Sequence, residues 1–276
     1  MSNFVSKSAH PINLIKSIIR NRDLIFSLIK RDIFSRYQGS TMGFMWSLIN
    51  PIVMLLVYTF VFSFVFKARW PGSATGSKSE FALVLFAGLL VYNMFAECMN
   101  RSPSLILSNA NYVKKVIFPL EIMPIVILGA ALFHMIMSFI VWVIFCFIFF
   151  GAPPITIFLF PITIIPLLLF SIGLSLFLSS LGVYIRDIGQ IIVLITTILM
   201  FMSPIFYPIS ALPKEFRVFM ELNPLTFIIE QARAVIINGD TIQWESWIMW
   251  TMISTLILFL GFAWFQKTRR GFADVI

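Results

Sequence analysis

The sequence predicts an all-α integral membrane protein: six transmembrane helices, an N-terminal amphipathic helix at the membrane interface, and a helical hairpin, interfacial or re-entrant, between spans five and six. Three observations carry this expectation. Hydrophobic residues fill 59% of the 276 positions and charged residues only 12%, whereas a soluble domain has roughly 25% charged residues. Apolar runs recur at 43–66, 81–99, 122–150, 155–182, 188–208 and 247–265, each near or above the roughly 20 residues that cross a bilayer as a helix. The charges are gathered in the first 42 residues and in the segments between the runs. Residues 1–276 therefore read as one transmembrane domain.

Residues 1–42 carry seven Lys and Arg, but no compact apolar core followed by a small-residue cleavage site. No removable signal peptide is expected. Within this segment "INLIKSIIRN" (12–21) sets Ile12, Leu14, Ile15, Ile18 and Ile19 on one helical arc and Lys16, Ser17, Arg20 and Asn21 on the other. That is an interfacial pattern. A looser stripe of Ile25, Phe26, Ile29, Ile33 and Tyr37 follows. Two readings stand: a lipid-surface anchor, or a helix that also touches a cytoplasmic partner through Lys30, Arg31 and Arg36. "RYQGSTMGFMW" (36–46) then leads directly into the first span.

Asn50-Pro51 is expected to kink the first span, and Pro161 and Pro166 the fourth, because proline removes a backbone donor. The third and fourth runs are long enough to tilt or to carry an interfacial turn. Residues 209–246 are apolar but interrupted by Lys214, Glu215, Arg217, Glu221, Glu230, Arg233, Asp240 and Glu245. They read as two short helices broken at Asn223-Pro224, lying at the interface or re-entering where protein buries the backbone. The 67–79 loop is rich in Gly and Ser, which suits a flexible connection.

Six spans place both termini on one side. With the termini inside, the cytoplasmic segments hold seven Lys/Arg in 1–42, three in 100–120, Arg186, and three in 266–276, fourteen in all, against six on the other side. Positive charge marks the cytoplasmic face. The net charge of +8 is read the same way, with no nucleic-acid partner.

What is absent bounds the mechanism. The spans hold almost no ionisable groups: Glu97 sits near the cytoplasmic end of span two, and His134 is the titratable group deep in a helix. Proton-driven transporters need intramembrane relays, and this chain shows none; His134 reads as a hydrogen-bonded packing residue. No phosphate loop, zinc-protease motif, nucleophile elbow or acidic metal cluster occurs. Cys98 and Cys146 have neither disulfide nor metal spacing. No catalytic residue, metal ligand or cofactor is therefore assigned, and energy for uphill work must come from another subunit.

The remaining signals lie in loops and at span ends. Residues 100–120 combine a possible helix, a Ser-Asn-Ala-Asn break and Lys114-Lys115. They read as a positive-inside anchor or as a coupling helix on which a soluble motor pushes. "YIRDIGQ" (184–190) gives a second cytoplasmic turn. Aromatics cluster at one end of spans one and three, facing lipid or lining a path for sugar rings; Tyr58, Trp142, Phe206 and Tyr207 are the candidates for such a path.

Taken in order, "RDIFSRYQGSTMGFMWSLINP" (31–51), "NANYVKKVIFPLEIMP" (109–124), "RDI" (186–188), "SPIFYPISALP" (203–213), "NPLTFIIEQAR" (223–233) and "GFADVI" (271–276) resemble the membrane subunit of ABC-type polysaccharide exporters. These are the permeases of O-antigen, capsule or teichoic acid. The resemblance implies a homodimer around a central channel in the bacterial cytoplasmic membrane. It also implies two cytoplasmic ATPase subunits below, which carry the ATP and Mg. It assigns ATPase coupling to Arg31, Arg36, Arg101, Asn109, Asn111, Lys114 and Lys115, and an outer gate to Pro213, Phe216, Asn223, Pro224 and Arg233. The implied cargo is a lipid-linked polysaccharide within membrane lipid. An exporter of a lipid, drug or other small molecule is the alternative within the family. A membrane-embedded enzyme on lipid-linked sugar is the alternative outside it, but Glu97, Glu121 and Asp187 are widely spaced for a clustered site. A scaffold without transport activity is a further alternative.

Overall fold

The structure is a computed structural model that describes residues 11–66, 70, 78–113 and 118–276. Lys114 and Lys115 lie outside these residues, as does most of the 67–79 loop. Every regular element among the described residues is helical. Helices α1 (Pro11–Arg20) and α2 (Arg22–Tyr37) precede α3 (Trp46–Tyr58), which continues as a π-helix over Thr59–Val65. Then come α4 (Lys78–Arg101), the single turn α5 (Ala110–Val113), α6 (Met123–Phe149), the single turn α7 (Phe160–Thr163) and α8 (Ile165–Tyr184). The chain ends with α9 (Ile188–Phe201), α10 (Lys214–Glu221), α11 (Pro224–Arg233), α12 (Trp244–Thr268) and α13 (Phe272–Val275).

Five helical stretches among the described residues are long and apolar enough to cross a membrane: Gly43–Phe62, Glu80–Arg101, Leu120–Phe149, Ile155–Tyr184 and Trp244–Val275. The fifth expected span is helical only over Ile188–Phe201. Its 14 residues reach about 21 Å at 1.5 Å per residue, less than the roughly 30 Å hydrocarbon core. The cause lies at Pro204, which has no N–H to extend the ladder. The carbonyls of Pro204 and Ile205 turn inward instead and accept from Arg233.

Pro51 sits inside α3. The fourth apolar stretch breaks at Ile164, between Pro161 and Pro166. Each occupies the first turn of its own helix, α7 and α8, with Ile164 between them. There the missing N–H has no intrahelical partner to lose.

Helix α4 is the central element: Ala82, Leu85, Ala87, Val91 and Cys98 are inaccessible. It packs against α6, α9, α11 and α3. Helices α8 and α12 form the most extensive pair. They approach so closely that a Cβ on Gly261 would stand 2.1 Å from the Gly173 carbonyl oxygen. Small residues permit such contact in membranes, where packing rather than water drives helix association.

The N-terminal helices lie against this bundle. Leu14 and Ser17 of α1 face inward, while Ile12, Ile15 and Ile19 are exposed. In α2 the buried residues are Ile25, Leu28 and Ile33, and Ile29 covers Gly129 of α6. This corrects the stripe read from the sequence. Leu28 belongs to the packed face, and Phe26, 70% exposed, does not. The 25, 28, 29, 33 spacing is the helical arc that faces α6.

Candidate functional site

Two polar constellations mark opposite ends of α4, a helix of 24 residues about 36 Å long. The first and last described helices, α1 and α13, share one end. Ser17 of α1 donates to Glu121 Oε1 at 2.8 Å, and Arg269, just past α12, donates to Glu121 Oε2 at 2.7 Å and to the Phe118 carbonyl at 2.9 Å. Tyr184, closing α8, donates to the Thr268 carbonyl at 2.8 Å. Pro103, just past α4, meets Gly182 so closely that a Cβ there would lie 2.0 Å from its carbonyl oxygen. Phe272, in the terminal motif, is fully buried.

Glu97 is the hub at this end. It pairs with Arg36 of α2, with Arg101 one turn along α4 at 3.3 Å, and with His134 Nδ1 of α6 at 3.0 Å. Arg101 Nη2 reaches back to both carboxylate oxygens of Asp32 in α2, at 2.7 and 2.9 Å. Arg31 donates to the Tyr112 hydroxyl at 2.7 Å. Charge-assisted bonds therefore bind helix α2 to span two and to the segment after it, and Glu97 links span two on to span three. These are about twice as strong as neutral ones. A group deep in a membrane helix is retained when it is paired, and His134 is paired through Glu97.

The sequence singled out Arg31, Arg36 and Arg101, and the structure brings them together around α2. It did not identify their acceptors. The signals were Asp32 beside Arg31, and Glu97 four residues before Arg101, a helical ion-pair spacing. Asn109 donates to the Leu105 carbonyl at 2.9 Å, and Asn111 is exposed. The turn Ile185–Asp187 is exposed at the same end.

At the opposite end α11 inserts into the bundle while α10 stays outside. Leu225, Ile228, Ile229 and Ala232 are buried, whereas Phe216, Phe219 and Leu222 are exposed. The break between the helices is where the sequence put it. Asn223 accepts from the Leu225 N–H at 3.0 Å as N-cap, Pro224 starts α11, and the Asn223 amide donates to Ser203 Oγ at 3.1 Å. Pro213 precedes α10.

Arg233 closes α11 and is buried. Its Nε donates to the Val84 carbonyl at 3.0 Å, Nη2 to Ile205 at 2.8 Å, and Nη1 to the Pro204 carbonyl and to Glu230. The guanidinium lies 4.7 Å from the Trp70 ring centroid, within cation–π range. Burial pulls Arg233 down to about 10, against the opposing effect of Glu230, so it stays charged at neutral pH; burial raises the Glu230 carboxyl, opposed by Arg233.

The four aromatic candidates separate. Tyr58 lines a cavity of about 360 Å³ with Asn50, Asn93, Glu97, His134 and Ser138. Phe206 stacks near Phe62 and Phe201, at 6.0 and 5.6 Å, and Tyr207 donates to the Phe201 carbonyl at 2.7 Å. Trp142 corrects the sequence reading. It is 1% exposed and donates to the Leu83 carbonyl at 3.1 Å, so it holds span three to span two and presents no face to a path.

An all-helical, multi-pass membrane bundle with its polar groups tied at two ends, and no group of metal-ligating side chains among the described residues, is the class of protein defined here. Residues 23–237 match the ABC-2 type transporter family, and the chain belongs to that family. It is 26% identical over 267 residues to the O-antigen export system permease protein RfbA of Myxococcus xanthus, covering 96% of this chain and 100% of that protein. An RfbA permease of Klebsiella pneumoniae is 25% identical over 92% of this chain and 95% of its own length. The polysialic acid transport protein KpsM of Escherichia coli is 24% identical over 89% of this chain and 93% of its own.

Proposed function

We propose that this chain is the channel-forming subunit of an ATP-driven exporter that moves a lipid-linked polysaccharide across the bacterial cytoplasmic membrane. The observation that carries the reading is the Glu97 hub. It makes α2, the end of span two and, through His134, span three one mechanical unit on the side that also holds α1 and α13. A motor bound there would move span two directly. Family membership and the export functions named for the relatives support the cargo.

The topology has six crossings, with Ile188–Phe201 as a short fifth. Its start is near Pro103, and its end meets the turn held by Arg233. The Lys/Arg excess makes the terminal face cytoplasmic. Two copies pair around the channel, and two ATPase subunits, which hold ATP and Mg, dock below on Arg31, Arg36, Arg101, Asn109, Asn111, Lys114 and Lys115. The chain itself catalyses nothing. Tyr58, Phe206 and Tyr207 line the path. Pro213, Phe216, Asn223, Pro224 and Arg233 form a re-entrant outer gate.

The test is purification of the tagged protein from its native membrane with an ATP-hydrolysis assay, alongside surface-glycan analysis of a deletion strain. A co-eluting ATPase and loss of surface polysaccharide support the reading. A deletion strain with normal glycan overturns it.

A further inference from the structure

Span two is buried along most of its length, yet Asn93 is exposed between buried Tyr92 and Met94. It lies about 12 Å along α4 from Arg101, inside the crossing Glu80–Arg101. Asn50, just before Pro51, is likewise exposed inside the crossing Gly43–Phe62. Both line the cavity of about 360 Å³ beside Tyr58, within the roughly 300–1,000 Å³ of small-molecule sites. Neither amide, nor the Tyr58 hydroxyl, forms a hydrogen bond with another described residue.

An adjoining void of about 60 Å³ shares Asn93, Glu97, His134 and Ser138 with this cavity. His134 Nε2 is buried without a hydrogen-bond partner. With Nδ1–H facing Glu97, Nε2 is left as an acceptor. Ser138 Oγ already donates to the His134 carbonyl at 2.9 Å, so it too is left to accept. Arg36 and Glu97, the charged residues of the lining, are paired with each other. The groups that remain open are neutral: two amides and a phenol that can both donate and accept, and two acceptors.

Polar groups within a membrane are costly and mark functional sites. A ligand that satisfies these must bring donors and acceptors together. The rings of Trp46 and Tyr58 in the same lining suit a ligand with an apolar face. A sugar ring has all of these features, because its hydroxyls donate and accept and its C–H face covers an aromatic ring. A phosphodiester headgroup only accepts.

We propose that Asn50, Asn93 and Tyr58 form a saccharide subsite inside the membrane, where a sugar ring exchanges its water for these amides. The inference rests on the polysaccharide-export reading and gives its path a hydrogen-bonding site.

The experiment is a saturation-transfer NMR titration of the purified full chain in phosphatidylcholine nanodiscs. The probes are mannohexaose and the dimethyl ether of hexaethylene glycol, which accepts hydrogen bonds but cannot donate. Mannohexaose should bind, and the ether should bind at least about tenfold more weakly, because a site built to hydrogen-bond a hydroxyl rejects an analogue without it. Asn50→Leu and Asn93→Leu should each weaken mannohexaose by at least about tenfold, and Asn93→Gln should lose less than Asn93→Leu. Equal binding of the ether overturns the proposal, as does absence of mannohexaose binding or wild-type affinity in either Leu variant. Weaker binding accompanied by a smaller oligomer, read by native mass spectrometry, overturns it in favour of an interhelical contact between copies, another use of polar residues in membranes. The titration needs no transport, so its failure is read separately from that of the export reading, which normal surface glycan in the deletion strain reports.

Discussion

Glu97 and His134 meet across spans two and three, with Oε2 3.0 Å from Nδ1. An ionised carboxylate can only accept, so against an ionised Glu97 the donor is the Nδ1–H tautomer of His134. The same carboxylate holds Arg36 of α2.

Replacing Glu97 with Ala should therefore loosen the C-terminal end of α2, where Arg36 is held, while the Asp32–Arg101 pair and the apolar face on α6 remain. It leaves Arg36 and His134 without this acceptor, and breaking one partner of a buried pair costs about 3–5 kcal/mol. The lower end applies, because Arg36 is one-third exposed. Thermal unfolding in detergent should show the loss, and spin labels on α2 and α6 should show a broader distance distribution. Unchanged distances would remove the hub from the mechanism.

Glu121 and Arg269 join the segment before α6 to the C-terminal tail. A double-mutant cycle with Glu121→Ala and Arg269→Ala should return a coupling of about 1 kcal/mol, between exposed and buried pair values. Trypsin should then cut at Lys267 or Arg269–Arg270 sooner in Glu121→Ala than in the wild type.

The Gly173–Gly261 contact admits no side chain. Gly261→Ala must separate α8 from α12 and should cost about 1–3 kcal/mol, as overpacking does. Gly151→Ala is a poor control, because its φ of 88° favours glycine; Gly189, with only the Pro103 Cβ at 3.9 Å, is the better one. Equal melting temperatures for Gly261→Ala and Gly189→Ala would contradict the packing argument.

Arg233→Lys keeps the charge but not the fork. A lysine has one nitrogen for the three carbonyls and the carboxylate that the guanidinium meets. The 203–208 turn should loosen, seen as faster hydrogen exchange at Ile205 and Phe206 by at least about tenfold, the equivalent of 1.4 kcal/mol.

The apolar runs made five of the six expected spans legible, because length and hydropathy are local properties. The Asn223-Pro224 break was legible for the same reason: cap and proline chemistry act within one turn. The partners of Arg36, Arg101 and Arg233 were not. Glu97 lies 61 residues from Arg36, and Val84 lies 149 residues from Arg233, so only the packed bundle brings them together. Trp142 failed as a path residue because an aromatic at a span end reads alike whether it faces lipid, a channel or a neighbouring helix. Its buried indole N–H found the Leu83 carbonyl, as a buried tryptophan usually must.

The short helix Ile188–Phe201 also bears on the lipid around it if it is the fifth crossing. If it crosses, a helix about 9 Å shorter than the hydrocarbon core leaves either polar backbone in oil or a dimple in the bilayer. The folded-back turn that Arg233 grips removes part of the first cost, and local thinning supplies the rest at fractions of a kcal/mol per Å. The surrounding leaflet is then under elastic strain, and longer acyl chains raise that strain. With the helix as a crossing, the strain around it is a function of membrane thickness, set by lipid composition rather than by any residue of the chain.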